Sequence, residues 1–181
     1  MTAAVIRPGE LVEVAQGIFY STRPLPIVDE GVIEFLKETA RTVPRRRARF
    51  CAHPSPDAAQ HDMLIVSHRE TYVAPHRHLD KSETFIVLEG VADIILFDEN
   101  GALEKIVRMG PPSSGLPFFY RMPARQFHSL SIVSELLVFM ESTSGPFHPD
   151  HCDNAAWAPG PDDTTPGCAF IASALQAAPG A

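Results

Sequence analysis

Residues 75–90 read PHRHLDKSETFIVLEG, a stretch that holds two histidines, a glutamate and a glycine at defined spacing. Side chains two residues apart in a β-strand project from the same face, so His76 and His78 can reach one point in space. Glu83 lies at an odd offset from both, but an intervening turn lets it begin the partner strand and return its carboxylate to that point. Gly90 then ends the second strand at a tight turn. The stretch predicts a β-hairpin that presents two imidazoles and a carboxylate together.

A third imidazole comes from a later stretch, RMPARQFH at residues 121–128, where a proline-led turn precedes His128. Three neutral imidazoles and one carboxylate form a donor set that suits Fe(II), Mn(II), Co(II), Ni(II) or Zn(II) and does not suit calcium. A lone His-x-His pair is most often two surface histidines, but the longer string with glutamate and glycine is much rarer by chance. Four protein ligands leave positions open to water or substrate, as in catalytic sites. We predict one divalent metal ion, of undetermined identity, bound by His76, His78, Glu83 and His128.

The region from residue 45 to residue 143 consists of short segments separated by turn residues, which is the all-β pattern. The sequence DENG at residues 98–101 predicts a hairpin, because Asn-Gly accepts the positive φ angles of such a turn. We predict an all-β protein, a double-stranded β-helix that closes into a jelly-roll barrel. Its strands are predicted at residues 46–53, 62–69, 72–78, 83–89, 91–97, 104–109, 117–122, 126–133 and 135–142.

Two extensions are expected to flank this barrel, which occupies residues 45–143. Residues 1–44 form an N-terminal accessory segment, with a short strand near residues 11–14 and a helix from about residue 26 to residue 42, where apolar residues recur at helical spacing. Residues 144–181 form a C-terminal extension rich in Pro, Gly, Ala and Asp. We expect this extension to be mostly irregular, with at most one short helix over residues 167–176.

The composition narrows the class of protein. The chain has 181 residues, of which 45% are hydrophobic, enough to bury a core without disulfides. Its formal net charge of −7 argues against a nucleic-acid or anionic-membrane surface. Three cysteines lie at unrelated spacings with no CxxC pair, which indicates reduced thiols. The sequence shows no signal peptide and no apolar run long enough to cross a bilayer, so we expect a cytoplasmic protein.

The spacing of the metal motif resembles that of the cupin superfamily. The pattern HxHx4Ex6G at residues 76–90 is similar to the first cupin motif, and Px4H at residues 123–128 is similar to the core of the second. Two positions depart from the family pattern. Glu70 stands where the first motif usually opens with glycine, and Arg125 replaces the glycine of the second. Both glycines serve turns and not coordination, so the departures concern loop shape.

A longer set of matches over residues 45–159 resembles the cupin-fold metalloproteins of the WbuC type. This resemblance implies a cupin metalloprotein connected with bacterial surface-polysaccharide loci, whose reaction is not established. Ile86 and Leu88 face outward and need a cover, either the N-terminal helix or a second subunit. Cupins are commonly dimers, so we expect a homodimer. The matching positions are residues 45–49 with His53, residues 75–90, LFDENG at 96–101, Glu141 with GPF at 145–147, and WAP at 157–159.

Strand alternation selects further candidates for the lining of a cavity. Arg47, Arg49 and His53 share one strand face, where guanidinium groups would grip a carboxylate or phosphate. The alternative is a solvated face over a buried Ala48 and Phe50. We name as candidate substrate-binding residues Arg47, Arg49, His53, Gln60 and Tyr120. The catalytic residue is unknown, with Glu141 and Tyr72 as candidates.

Three functions are compatible with these features. The first is a metal-dependent enzyme that acts on a small polar substrate, anionic or sugar-derived, by isomerisation or epimerisation, or by a dioxygenase reaction if the metal is Fe(II). The second is a non-catalytic protein that binds a small ligand. The third is a metal-free epimerase of the deoxysugar type, which shares the barrel but does not need the histidine and glutamate set. The presence of that set favours the first function.

Overall fold

Two β-sheets face each other in the computed structural model of the protein, which describes residues 5–177. In chain order the strands are β1 (Leu11–Ala15), β2 (Ile18–Ser21), β3 (Arg47–Cys51), β4 (Gln60–His68), β5 (His76–His78), β6 (Glu83–Glu89), β7 (Ala92–Phe97), β8 (Leu103–Met109), β9 (Phe119–Met122), β10 (Phe127–Ile132), β11 (Leu136–Ser144) and β12 (Cys152–Asn154). The helices are α1 (Glu30–Thr42) and α2 (Thr164–Gln176). None of the helices within residues 5–177 is long and apolar enough to cross a membrane.

The first sheet has seven strands in the order β1-β2-β3-β4-β11-β6-β9, and the second has five in the order β12-β5-β10-β7-β8. Neighbouring strands are antiparallel except β2 and β3, which run parallel. The predicted all-β jelly-roll fold is confirmed. The predicted closure into a barrel is wrong, because no described strand is shared between the sheets and β1, β9, β12 and β8 are edge strands.

Apolar side chains from the inner faces of both sheets form the central core. Phe85 and Ile65 project from the first sheet and meet Ile94 and Leu130 of the second, and all four are buried. The strands that carry them alternate inward and outward residues, as predicted for a two-layered fold. The sheets are therefore held together by side-chain packing, without the backbone hydrogen bonds that would close a barrel.

The N-terminal segment adds β1 and β2 to the first sheet and covers the outer face of that sheet with α1. The helix begins at Glu30, four residues after the predicted start, because Asp29 caps it by accepting a hydrogen bond of 3.0 Å from the Gly31 backbone N–H. It ends at Thr42, two residues before Pro44, as predicted. Its apolar stripe packs on the outer residues of β3, β4 and β11, and consists of Val32, Leu36 and Ala40.

The C-terminal extension is more regular than predicted, so the expectation of a mostly irregular tail is wrong. It contributes β12 to the second sheet, and α2 begins at Thr164, three residues before the short helix that the sequence suggested. Trp157 packs between this helix and the outer face of the second sheet, with its ring centroid 5.2 Å from that of Phe97. Gly101, in the DENG turn, has a φ of +86° and lies directly against the Trp157 ring.

The outer face of β6 and β9 is only partly covered in the first sheet. Leu88 is 41% exposed and Phe119 is 52% exposed, whereas α1 packs on β3 and β4. A single chain is described, so the expected homodimer stays a prediction.

The turn between β6 and β7 depends on glycine. Gly90 has a φ of +83°, and a Cβ at this position would lie 2.3 Å from the carbonyl oxygen of Leu136. We predict that Gly90→Ala lowers the free energy of unfolding by roughly 2–4 kcal/mol, since the strained conformation and the backbone clash add together. Urea denaturation of the variant and the wild type measures the difference.

Gly115→Ala is the matched control, because Gly115 has a φ of +76° but no atom within 4 Å of its Cβ position. We expect this variant to lose only about 1 kcal/mol, from backbone strain alone. Equal losses in the two variants would contradict the role given to the Leu136 contact.

Candidate metal centre

Three histidines of the second sheet point their ring nitrogens at one place. His76 and His78 lie two residues apart on β5, and His128 on β10 is the register partner of His76. Their ligand atoms all lie within 4.8 Å of one another. The group can therefore hold a metal ion, and the described residues place it between the two sheets.

Backbone carbonyls orient two of these rings. Nδ1 of His76 lies 2.9 Å from the carbonyl oxygen of Ala74, and Nδ1 of His128 lies 3.0 Å from that of Gln126. A carbonyl oxygen only accepts, so each ring donates from Nδ1 and keeps the lone pair of Nε2 for a metal ion. Nδ1 of His78 is buried and has no hydrogen-bond partner among the described residues.

Glu83 approaches the histidines from the opposite sheet. Its carboxylate oxygens lie 3.2 Å from Nε2 of His78 and 3.3 Å from Nε2 of His128, and the Tyr120 hydroxyl donates to the same carboxylate at 2.9 Å. Burial opposes ionisation of Glu83, but the two histidines outweigh it and hold its pKa well below the usual range. The donors, their burial and the orientation of Nε2 fit a divalent first-row transition-metal ion, from Mn(II) to Zn(II).

The local sequence explains how these residues meet. Residues 79–82 form the turn that the odd offset of Glu83 requires, and Glu83 is the first residue of β6. Arg125, which replaces the glycine of the second motif, has a φ of +69° and so adopts the conformation that glycine favours. Its backbone N–H donates to the carbonyl oxygen of His78 at 2.7 Å. This hydrogen bond ties the turn before His128 to the strand that carries the other two histidines.

A cavity of about 590 Å³ opens beside the histidines and runs between the sheets. Its size suits a small organic molecule. The cavity is lined by five of the predicted candidates, which are Arg47, Arg49, His53, Tyr120 and Glu141, as well as by the four predicted metal ligands.

Two predicted candidates lie elsewhere. Gln60 is exposed, and its side-chain amide donates to the Ser142 hydroxyl at 2.7 Å outside the cavity lining. Tyr72 lines a separate cavity of about 180 Å³, and its hydroxyl donates to the Pro159 carbonyl oxygen at 2.7 Å. The strand predicted at residues 72–78 is limited to His76–His78, so strand alternation does not place Tyr72 in the cavity with the histidines.

Glu141 lies in the wall of the cavity between the histidines and the arginines. It is the register partner of Met63 on β4 and of Phe85 on β6. Burial and the negative charge of Glu83 raise the pKa of Glu141 to about 7, while Arg47 opposes the shift. A carboxyl group with such a pKa can gain and lose a proton near neutral pH.

Cys152 is a lining residue that the sequence did not reveal. β12 pairs with β5 so that Cys152 is opposite His78, and the thiol side chain borders the cavity. The residue lies in a segment that reads as an irregular tail, and no local pattern predicts its pairing with a strand more than 70 residues earlier. No local pattern predicts the position of Tyr20 in the cavity lining either. Its hydroxyl lies 3.5 Å from Nε2 of His53.

One family model matches part of the chain. A family model described as a domain of unknown function, DUF6016, matches residues 28–109, which is less than half of the chain. No curated protein matches the sequence. The specific resemblance to the WbuC type therefore stays a prediction.

Several solved structures are similar in fold. CapF, the capsular polysaccharide assembling protein of Staphylococcus aureus, is 18% identical, with 60% of this chain and 29% of CapF covered and a TM-score of 0.46. Oxalate decarboxylase from Bacillus subtilis is 16% identical, with 60% of this chain and 27% of that chain covered and a TM-score of 0.47. Protein SO0799 from Shewanella oneidensis is 11% identical, with coverages of 57% and 66% and a TM-score of 0.45.

The matched region spans only about a third of the CapF chain in the structure of CapF with the inhibitor 3-isopropenyl-tropolone, at 18% identity and a TM-score of 0.48. At these identities and TM-scores the similarity indicates neither a substrate nor a reaction.

Metal binding should compete with protons at this centre. Burial disfavours the charged form of His78, but the neighbouring Cys152 and Glu83 outweigh it and raise the pKa of His78 to about 9 in the metal-free protein. An imidazole must lose its extra proton to bind a metal ion, so we predict that zinc binding at pH 7 releases at least one proton and tightens about tenfold per pH unit for each proton released. Calorimetry in two buffers of different ionisation enthalpy counts the protons.

The exposed His148, outside the histidine group, provides the control. His148→Ala should leave the zinc affinity and the proton count unchanged, whereas His78→Ala should weaken binding strongly. Zinc binding without proton release would contradict the charge state assigned to His78.

Glu141 should make the metal-free protein less stable as the pH rises. Its pKa is near 7 in the folded chain and near 4.5 when unfolded, so the folded state holds the extra proton between these values and loses stability above pH 4.5. We predict that Glu141→Gln gains about 2 kcal/mol relative to wild type between pH 5 and pH 8. Urea unfolding of both proteins at the two pH values tests this, and a constant difference would contradict it.

Proposed function

We propose that this protein is a metal-dependent enzyme that moves a proton on a small polar substrate, anionic or sugar-derived, bound between its two sheets. One observation carries the proposal. Glu141, a carboxyl group whose pKa is raised to about 7, faces the same cavity as the histidine group and Glu83. A proton-transfer group and a candidate Lewis-acid site thus share one cavity of about 590 Å³.

The register supports the placement of Glu141 beside the metal centre. Glu83 pairs with Thr143, and the next inward residue of the same strand is Glu141, opposite Phe85. Inward residues of one strand are about 7 Å apart, so a small substrate that reaches the metal centre also reaches Glu141. The negative charge of Glu83 is one cause of the raised pKa of Glu141, which agrees with their proximity.

Other residues of the cavity orient the Glu83 carboxylate and exclude water. The Tyr120 hydroxyl donates a hydrogen bond of 2.9 Å to Glu83 and fixes the position of that carboxylate. Phe85 stacks on Phe139 with ring centroids 4.3 Å apart and makes one wall of the cavity apolar. An apolar wall strengthens electrostatic interactions with a bound substrate.

When bound at the histidine group, a divalent ion would supply Lewis acidity to a carbonyl or hydroxyl oxygen of the substrate. Glu141 in its carboxylate form would take the proton from the neighbouring carbon and return it to the same or an adjacent atom. Removal and return of one proton accounts for an isomerisation or epimerisation without a second reactant. The sugar-derived class and the connection with surface polysaccharides rest on the sequence resemblance to the WbuC type.

Deuterium exchange tests this function even when the product of the reaction is unidentified. Zinc- or manganese-loaded protein is incubated in D₂O with individual sugar phosphates, uronic acids and 2-oxo acids, and proton NMR follows the loss of carbon-bound hydrogen. We expect exchange in at least one compound, with a loss of at least about 100-fold in Glu141→Gln, in keeping with the typical effect of a general base.

His78→Ala should also abolish exchange, whereas His148→Ala should retain it. Exchange that persists in Glu141→Gln would contradict the assigned role of that residue. Retention of a tightly bound compound without any exchange would instead support the non-catalytic function. Oxygen uptake by the iron-loaded protein would support the dioxygenase reaction.

A further inference from the structure

Two arginines line the cavity without a carboxylate partner. Arg47 and Arg49 are half-buried residues on the inward face of β3, and no carboxylate oxygen of the described chain lies within 4 Å of either guanidinium group. Nε of Arg49 is buried without a hydrogen-bond partner. Other arginines of the protein are engaged in ion pairs with acidic side chains, namely Arg41, Arg45, Arg46, Arg77 and Arg108.

The Arg49 guanidinium contacts the Met63 sulfur, from Nη1 to Sδ, at 4.0 Å, which leaves its charge without an ion-pair partner. A partly buried guanidinium group in that state destabilises a fold unless a ligand satisfies it. Burial, together with the positive charge of Arg49, lowers the pKa of Arg47 to about 10, so Arg47 remains charged at neutral pH. The fold therefore places two positive charges against the cavity with no ion-pair contact, although the charge of Glu141 acts on Arg47 from a longer distance. This is the arrangement expected of a binding site that is completed by an anion.

The sheet order places the arginines at a distance from the metal centre. β3 is separated from β6, which carries Glu83, by β4 and β11, and three strand spacings amount to about 14 Å between backbones. Glu141 on β11 lies between them. Beyond β3, the cavity continues to Val12 and Val14 on β1, which are 48% and 58% exposed and mark its open side.

The charges that line the cavity favour an anion with more than one negative charge. The positive side chains are Arg47, Arg49 and Lys81, and the negative ones are Glu83 and Glu141. With Glu141 ionised, these five side chains carry one net positive charge. In the metal-loaded protein, whose histidine ligands are neutral, a divalent ion would raise the charge to three. The whole chain has a net charge of −7, so the cavity has the opposite sign to the protein around it.

We infer that Arg47 and Arg49 form an anion subsite, and that the ligand of this cavity is an organic anion of at least two negative charges. One oxyanion group, a carboxylate or a phosphate, binds the two guanidinium groups, while the reacting end extends past Glu141 towards the histidines. The placement of the reacting end near the histidines depends on the proposed function. The anion subsite rests only on the arginines and can be tested without metal.

Anion binding to the metal-free protein tests the subsite. Inorganic phosphate and glutarate are titrated separately at low ionic strength, and calorimetry or chemical-shift changes give the dissociation constants. We expect both variants Arg47→Gln and Arg49→Gln to weaken binding about tenfold or more, and the double variant to abolish it, as expected for charge-assisted hydrogen bonds. The tighter of the two probes identifies the oxyanion group.

Arg121→Gln is the matched control, because it removes the same charge from an exposed residue of β9 outside the cavity lining. Its dissociation constants should stay within about twofold of wild type. Absence of anion binding in the wild type, or equal binding in the double variant, would overturn the inference. His78→Ala should retain anion binding, so a failure of the metal-dependent function is distinguishable from a failure of the subsite.

Stability separates a binding role from a structural one. If the arginines serve a ligand, Arg49→Met removes an unsatisfied buried group, and the midpoint of thermal unfolding of the ligand-free protein should stay the same or rise. Addition of phosphate should raise the midpoint of the wild type and not that of Arg49→Met. A large fall in the midpoint of the ligand-free variant, with phosphate still stabilising it, would show that Arg49 supports the fold alone.

Discussion

The contact of Glu83 with His78 and His128 links the two sheets at the centre of the molecule. The carboxylate comes from the first sheet and the imidazoles from the second, with separations of 3.2 and 3.3 Å. In the metal-free protein, hydrogen bonds and charge attraction between these groups lower the pKa of Glu83 and raise those of both histidines. A metal ion and protons thus compete for the same lone pairs. The cavity extends from this contact past Glu141 to the two arginines.

Local sequence patterns predicted the part of the fold that holds this contact. The His-x-His pair, the offset of Glu83 and the glycine at position 90 describe neighbouring segments, and strand alternation and turn chemistry act over the same short range. The start of β6 at Glu83 followed from them. Closure of the sheets, the pairing of β12 with β5 and the position of Tyr72 depend on contacts between distant segments. Such contacts leave no periodic trace in one sequence.

In the candidate site, too, local sequence patterns predict some features, and others depend on contacts between distant segments. Alternation along β3 could place Arg47 and Arg49 on one face, but only the folded chain shows that no carboxylate meets them. The raised pKa of Glu141 likewise arises from burial and from Glu83, which lies 58 residues away in sequence. The net charge of −7 gave no sign of a positively charged cavity, because a total charge does not describe the distribution of charge.

The position of a bound metal ion would show whether the two sheets share one metal site. Crystals of the protein grown with zinc or manganese can be measured at the absorption edge of the metal, so that anomalous scattering gives the position of the ion. We predict a single strong peak about 2.0–2.3 Å from Nε2 of His76, His78 and His128 and from a carboxylate oxygen of Glu83. A peak at other residues, or a fully loaded protein in which Glu83 or His128 does not touch the ion, would contradict the account.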